Sequence, residues 1–245
     1  MDFPGKFADR IMPDKIHKLS LGFLVDKLNK NFGGTAGNIA YTLKLLGINP
    51  LIFSCAGNDF LLYRKHLRKM RISIKYIKEI ANDVTGSYFV VTDQEDNQIG
   101  AFYTGAMKYN RDLTLMSFPR RRESLSNNTN VKFGSTTTVY ADDFIIISPH
   151  DPKGMLRHVR EAQELKIAYM YDPAFQIDIF SADELLDGIK HAAILIGNDY
   201  EISLIEKKLN IKHNDLINLC PVIITTLGNQ GSKIVSRIKN RELRI

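Results

Sequence analysis

Cysteine is scarce in this chain of 245 residues, with Cys55 and Cys220 the only two. Two thiols cannot build the disulfide framework of a small secreted domain. Cys55 lies inside an apolar run and Cys220 just before another at 221–224, so two buried free thiols in a reducing compartment fit better than a disulfide or a metal pair. Long apolar runs are lacking as well. The opening MDFPGKFADR has no apolar core of signal-peptide length, and no stretch reaches the roughly 20 residues that a membrane-spanning helix needs. The expectation is a cytoplasmic protein without membrane attachment. His150, His158 and His191 lack the spacing of a metal cluster and are expected as surface or capping residues; no Ser/His/Asp arrangement stands out.

Neither sign of charge dominates. Lys and Arg number 33 against 27 Asp and Glu, a net charge of +6. Such a balance permits anionic partners without requiring nucleic acid, because nucleotide-binding enzymes also need positive potential. Arg120, Arg121 and Arg122 form a short isolated triplet that reads as solvated surface, which argues against a nucleic-acid partner. With 44% hydrophobic and 24% charged residues the chain is globular in composition, long enough for one large α/β domain or a domain with a small appendage.

What is present is organised around residues 31–60, NFGGTAGNIAYTLKLLGINPLIFSCAGNDF. Gly33 and Gly34 lead through Gly37 and Asn38 into an apolar-periodic helix at 39–46. The helix stops at Gly47, and a buried strand follows at 51–55. Glycines let a ligand approach the main chain, and a helix start directs unpaired N–H groups and positive partial charge toward it. The Asn38 amide both donates and accepts, which suits a sugar hydroxyl. Taken alone, the glycines could equally make only a tight turn. The order G-G-x-x-x-N, helix, Gly47, strand and Gly57-Asn58-Asp59 resembles the first signature of the PfkB family, the ribokinase-like sugar and nucleoside kinases. That resemblance implies that Gly33, Gly34 and Asn38 bind substrate.

The remaining chain divides into three stretches. Residues 59–70 read as a basic amphipathic helix, and 86–92 with 99–103 as strands of a hairpin around the polar turn 93–98. By resemblance, about 6–32 and 84–105 supply a small β lid, with Tyr103 on its substrate side; the plain alternative is an edge hairpin. Residues 118–140 are basic, then rich in Ser, Thr and Asn without periodicity, and are expected as a disordered insertion. From 142 onward strands at 144–148, 167–171, 193–196 and 222–226 alternate with helices at 153–165, 182–189 and 200–209. That alternation predicts a parallel sheet whose ligands sit beyond the carboxyl ends of its strands. Gly57-Asn58-Asp59, Ser148-Pro149-His150-Asp151, Asp172-Pro173, Gly197-Asn198 and Gly228 fall at such ends.

Two strand-end motifs carry chemistry. Asn198-Asp199-Tyr200-Glu201 opens a helix and is explained as a cap; it also resembles the family's N-x-x-E motif, which implies that Asn198 and Glu201 hold Mg2+ through water. Thr226-Leu227-Gly228-Asn229-Gln230-Gly231 is by itself a hairpin turn; it resembles the family's T-x-G-x-x-G turn, which implies that Thr226, Gly228 and Gly231 bind the phosphates of ATP. Asp172-Pro173 resembles the family's D-x-N stretch but continues with Ala174 and Phe175, leaving Asp172 a supporting role.

The resemblance as a whole implies a single domain over 1–245. Its fold would be a ribokinase-like three-layer α/β sandwich with a mostly parallel central sheet and a small β lid. The implied reaction is ATP- and Mg2+-dependent transfer of phosphate to a hydroxyl of a sugar or nucleoside, with pairing between subunits through the lid an open expectation. Family members also carry an opening strand with a substrate-gripping Asp and a later D-T-x-G-A-G-D segment whose last Asp is the general base. Neither is found in the sequence. A chain incomplete at both termini, with impaired transfer and no catalytic base of its own, is therefore expected; the alternative is a non-catalytic relic that binds a nucleoside or sugar.

Overall fold

The computed structural model describes residues 1–11, 22–117, 143–237 and, as backbone, 241–244. The proposed insertion at 118–140, with Arg120 to Arg122, and part of the first lid stretch lie outside the described residues. The chain forms two compact units, Met1–Met107 and Lys108–Ile245.

In the first unit, helix α1 (Thr35–Leu45) and helix α2 (Leu61–Lys69) flank the short strand β1 (Ser54–Gly57), which pairs in parallel with β2 (Ile77–Ile80). Ala40, Ile52, Ala56, Phe60, Leu67 and Ile72 make the core. The strand expected at 51–55 begins later: Leu51 is exposed and makes only an isolated bridge to Ser73, while Ile52 turns into the core. Apolarity there marks side-chain burial and not ladder pairing. Strand β2 reads Ile-Lys-Glu-Ile, with Lys78 and Glu79 exposed, so it carries little hydrophobic signal.

Strands β3 (Ser87–Thr92) and β4 (Gln98–Tyr103) form the expected antiparallel hairpin, from Ser87 opposite Tyr103 to Thr92 opposite Gln98. Asp93 shapes its turn: Oδ1 accepts from the N–H groups of Glu95 and Asn97, and Oδ2 from the Phe7 N–H and the Asn97 amide. The hairpin does gain a neighbour from before Gly33. The neighbour is residues 1–3: the Met1 amino group donates to the Val90 carbonyl, Thr92 N–H to Met1 and Phe3 N–H to Thr92. Phe3, Phe7 and Phe23 pack ring against ring behind it.

In the second unit the elements run β5 (Phe144–Ile147), α3 (Pro152–Leu165), β6 (Ala168–Tyr171), α4 (Ala182–Lys190), β7 (Ile194–Asn198), α5 (Asp199–Leu209), α6 (His213–Leu219), β8 (Val222–Thr226), β9 (Ser232–Ser236) and β10 (Arg241–Arg244). The sheet order is β10-β9-β8-β7-β6-β5; β5 to β8 are parallel, and β9 and β10 add antiparallel to the edge. Each strand thus lies beside the next in sequence, and right-handed crossovers then set successive helices against one another on the sheet. The starts of α3, α4 and α5 are chemically marked. Asp151 accepts from Gly154 N–H with Pro152 in the first turn, while Ser181 with Glu184 and Asn198 with Glu201 form capping boxes. Met155, Val159 and Ala162 on α3, Leu185 and Ile189 on α4, and Ile202 and Ile205 on α5 are the buried stripe of each helix.

His150 and His158 are not surface residues. The His158 ring is buried, with Nε2 3.3 Å from the Leu113 carbonyl and Nδ1 3.2 Å from His150 Nε2. A carbonyl only accepts, so His158 Nε2 carries the hydrogen, its Nδ1 accepts, and His150 Nε2–H donates. His150 Nδ1 is left buried with no partner among the described residues. Burial, reinforced by the neighbouring ring, pushes the His150 pKa down to about 3, overriding the opposing pull of Asp151. The unfolded chain therefore binds a proton that the folded chain refuses between about pH 6.5 and about pH 3, and stability must rise with pH across that window. Urea titrations from pH 4 to 7 are expected to show His150→Gln losing one proton of that dependence, about 1.4 kcal/mol per pH unit.

Candidate functional site

The glycine loop of the first unit is built on α1. Gly34 is its N-cap, at φ 87°, a backbone state glycine takes without strain. The helix begins at Thr35, earlier than the expected 39, so Asn38 already sits in the first turn with its N–H bonded to the Gly34 carbonyl at 2.9 Å. What Asn38 offers a ligand is its exposed side-chain amide. The half-buried Gly33 accepts from the Tyr63 hydroxyl at 2.7 Å through its carbonyl. Further along, Asp59 accepts from both the N–H and the hydroxyl of Thr85, at 2.8 and 2.6 Å. Partial burial works against its charge, but the Thr85 bonds prevail and hold the carboxyl below its usual range. Tyr103, at the end of β4, is 48% exposed and donates its hydroxyl to Asp83 Oδ1 at 3.2 Å.

The second unit gathers the other predicted residues at the carboxyl edge of its sheet. In the β7–β8 ladder Asn198 is the direct partner of Thr226 and Gly197 that of Thr225. Asn198 Oδ1 accepts from Glu201 N–H and Glu201 Oε2 from Asn198 N–H, both at 2.8 Å. After Thr226 the chain makes a single 3-10 turn, Gly228–Gln230, closed by Leu227 N–H to the Gly231 carbonyl. Gly228 lies at φ 58° and Gly231 at φ 84°, so both glycines of T-x-G-x-x-G occupy left-handed backbone. The first N–H groups of such a turn have no acceptor within it, and with the hydroxyl of the preceding Thr226 they are candidate donors to an anion.

Asp172 joins this edge. It follows β6, its N–H donating to the Ile147 carbonyl, and its pKa is raised to about 7, by burial first and by the charge of Glu201 second. A carboxyl raised by burial and by a neighbouring carboxylate in this way would be relieved by a cation. Among the described residues there is no cluster of three or more His, Cys, Asp or Glu side chains. A pair suits Mg2+, which keeps much of its water.

The family pattern described as "pfkB family carbohydrate kinase" matches residues 5–245. The chain belongs to the pfkB carbohydrate kinase family. Its relatives include the nucleoside kinase of Methanocaldococcus jannaschii, 26% identical over 232 residues, covering 94% of this chain and 69% of the relative. That of Methanothermobacter thermautotrophicus is 27% identical over 215 residues, covering 86% and 63%. The structure of Burkholderia thailandensis nucleoside kinase in complex with inosine superposes with a TM-score of 0.79 at 26% identity, over 100% of this chain and 71% of that one. The M. jannaschii structure, called an archaeal member of the ribokinase family, gives a TM-score of 0.75. The pfkB chain therefore has the ribokinase-like α/β fold with a mostly parallel sheet. It spans about two thirds of the length of these relatives. Among the described residues no helix is long and apolar enough to cross a membrane.

Two residues of this pfkB chain carry more than their sequence suggested. Asp172 was marked by its place at a strand end and by a partial likeness to the family's D-x-N stretch, and its coupling to Glu201 depends on β6 lying next to β7. Tyr63 left one trace, a glycine at position 37 where the helix needs none.

The backbone at Gly228 points to a ranking. A Cβ there meets nothing within 4 Å, so the cost of a side chain is conformational alone. Gly228→Ala is expected to lower stability by about 1 kcal/mol, and Gly228→Asn by less, because asparagine tolerates the left-handed region. Urea midpoints of the two variants check the order.

Proposed function

We propose that this protein transfers the γ-phosphoryl group of ATP to a hydroxyl of a nucleoside. The observation that carries the proposal is the pairing of Asn198 with Thr226, which sets N-x-x-E and T-x-G-x-x-G side by side at one sheet edge. In this reading the Thr226 hydroxyl and the amides of the turn opened by Gly228 and closed by Gly231 hold the phosphates, as hydrogen bonds to phosphate oxygens strengthen with charge. Asn198, Glu201 and Asp172 would hold Mg2+ through water; when bound, the ion neutralises phosphate charge. The capping box leaves the Glu201 carboxylate fixed, with Oε2 on Asn198 N–H. Gly33, Gly34 and Asn38 would receive the acceptor's hydroxyls, with Tyr103 over the same substrate. The nucleoside preference is supported by the two curated nucleoside kinases and by the relative whose structure is a complex with inosine.

The purified chain, given ATP and Mg2+, is tested for phosphate transfer to purine and pyrimidine nucleosides and to free sugars. Transfer to nucleosides is expected. Asn38→Ala should raise KM for the nucleoside about 10-fold at unchanged KM for ATP, and Thr226→Ala should do the reverse, the scale of one lost hydrogen bond. Absence of transfer to every acceptor, or kinetics indifferent to Asn38→Ala, overturns the proposal. Transfer by residues 1–245, the outcome expected under this proposal, would set aside the expectation of impairment that the missing D-T-x-G-A-G-D segment raised.

We further propose that two copies pair through the β3–β4 hairpin. Tyr88 and Phe102 are exposed on one face of it and Phe89 and Ile99 on the other, apolar side chains that support such pairing. Sedimentation is expected to show a dimer that Phe89→Glu with Phe102→Glu dissociates; a monomer at all concentrations removes the idea.

A further inference from the structure

Gly37 has no conformational reason to be glycine. It lies in the first turn of α1 and is not among the residues with positive φ. Glycine inside a helix costs about 1 kcal/mol relative to alanine. Its reason is clearance: a Cβ at Gly37 would stand 1.9 Å from the Tyr63 hydroxyl oxygen and 3.2 Å from Cζ. The same hydroxyl donates to the Gly33 carbonyl at 2.7 Å. One phenol thus fills the space above Gly37 and fixes the peptide at Gly33.

The ring is held on both sides. Phe32 stacks on it, with centroids 4.9 Å apart and planes 11° apart, and Phe60 meets it edge-on at 5.9 Å. Tyr63 also packs against the core of the first unit. Phe32 immediately precedes the glycines, so the stack and the hydrogen bond grip the same three-residue stretch. Around the Cβ positions of Gly33 and Gly34 there is nothing within 4 Å. Two adjacent glycines in open space are conformationally free unless something outside the loop restrains them.

We propose that Tyr63 is a positioning residue: its hydroxyl latches the Gly33 peptide, and Gly37 is the glycine that admits it, so that the loop is held in the shape that receives the acceptor's hydroxyls. The inference rests on the kinase reading for what the loop receives. Burial keeps the phenol protonated by raising its pKa, so it remains a donor throughout the working range.

Tyr63→Phe, Gly37→Ala and the double variant test it, with inosine and ATP as substrates. Tyr63→Phe keeps the ring stack and removes one hydrogen bond, so KM for inosine is expected to rise about 3- to 10-fold, with kcat and KM for ATP unchanged within about 2-fold. Gly37→Ala, which forces the hydroxyl out, should raise KM at least as far. In the double variant the methyl faces Cζ at 3.2 Å and not oxygen at 1.9 Å, so KM should fall back below that of Gly37→Ala. A merely structural tyrosine would lower the unfolding midpoint of Tyr63→Phe without moving KM, and that result, or simple additivity in the double variant, overturns the latch. Wild-type protein that transfers phosphate to no acceptor overturns the kinase reading instead. Amide exchange at residues 33–38 then judges the latch by itself: it should quicken about 3- to 10-fold in Tyr63→Phe, and unchanged exchange removes the proposal.

Discussion

The parallel pairing of β7 with β8 is the constraint on which the second unit's candidate site depends. Side chains alternate across a sheet, so a slip of one residue would turn Asn198 and Thr226 to opposite faces and separate the two turns that follow them. The register is fixed by Leu195, Gly197, Ile223 and Thr225, which are buried in alternation with less buried neighbours. Core packing along two strands therefore decides where two polar turns meet. Residues of the site need no contact with one another to be held together.

The helix that follows β7 adds a second restraint. Asn198 and Glu201 satisfy each other's backbone N–H groups, so the carboxylate is locked before any ligand arrives. A structural role and a binding role are compatible here because the cap occupies one carboxylate oxygen. Asp172 makes the arrangement electrostatically expensive. With its pKa near 7 it is only partly ionised at neutral pH beside a carboxylate, in a chain whose net charge is +6. The negative charge of this carboxyl pair is local, at the edge where the T-x-G-x-x-G turn also lies.

Legibility in the sequence followed the physics of each element. Helices α3, α4 and α5 were readable because an apolar period follows a capping residue, Asp151, Ser181 or Asn198, and T-x-G-x-x-G was readable because its two glycines are its positions at positive φ. Strand β2 was not, since Lys78 and Glu79 dilute its pattern, and β1 was displaced because Ile52 is apolar for the core and not for a ladder. The start of α1 was missed because its cap, Gly34, has no side chain to announce it. The His150–His158 contact was invisible for a different reason: it needs a strand end, a helix and the Leu113 carbonyl brought together by packing.

Glycine in this chain therefore carries two separable meanings, and only one is local. Gly228 and Gly231 report backbone conformation, which a motif can encode in a few residues. Gly57 reports clearance: a Cβ there would come within 2.2 Å of the Val84 carbonyl carbon and 2.3 Å of Thr85 N. That close approach lets Thr85 accept from Gly57 N–H while its own N–H and hydroxyl bond Asp59, and it lets Asn58 N–H reach the Asp83 carbonyl. Residues 83–85 lead directly into β3, so the Gly57-Asn58-Asp59 turn anchors the base of the hairpin. A sequence motif met as a strand-end signature is thus also the fastening point of an element some thirty residues downstream, and its glycine is required by that partner backbone whatever ligand the turn serves.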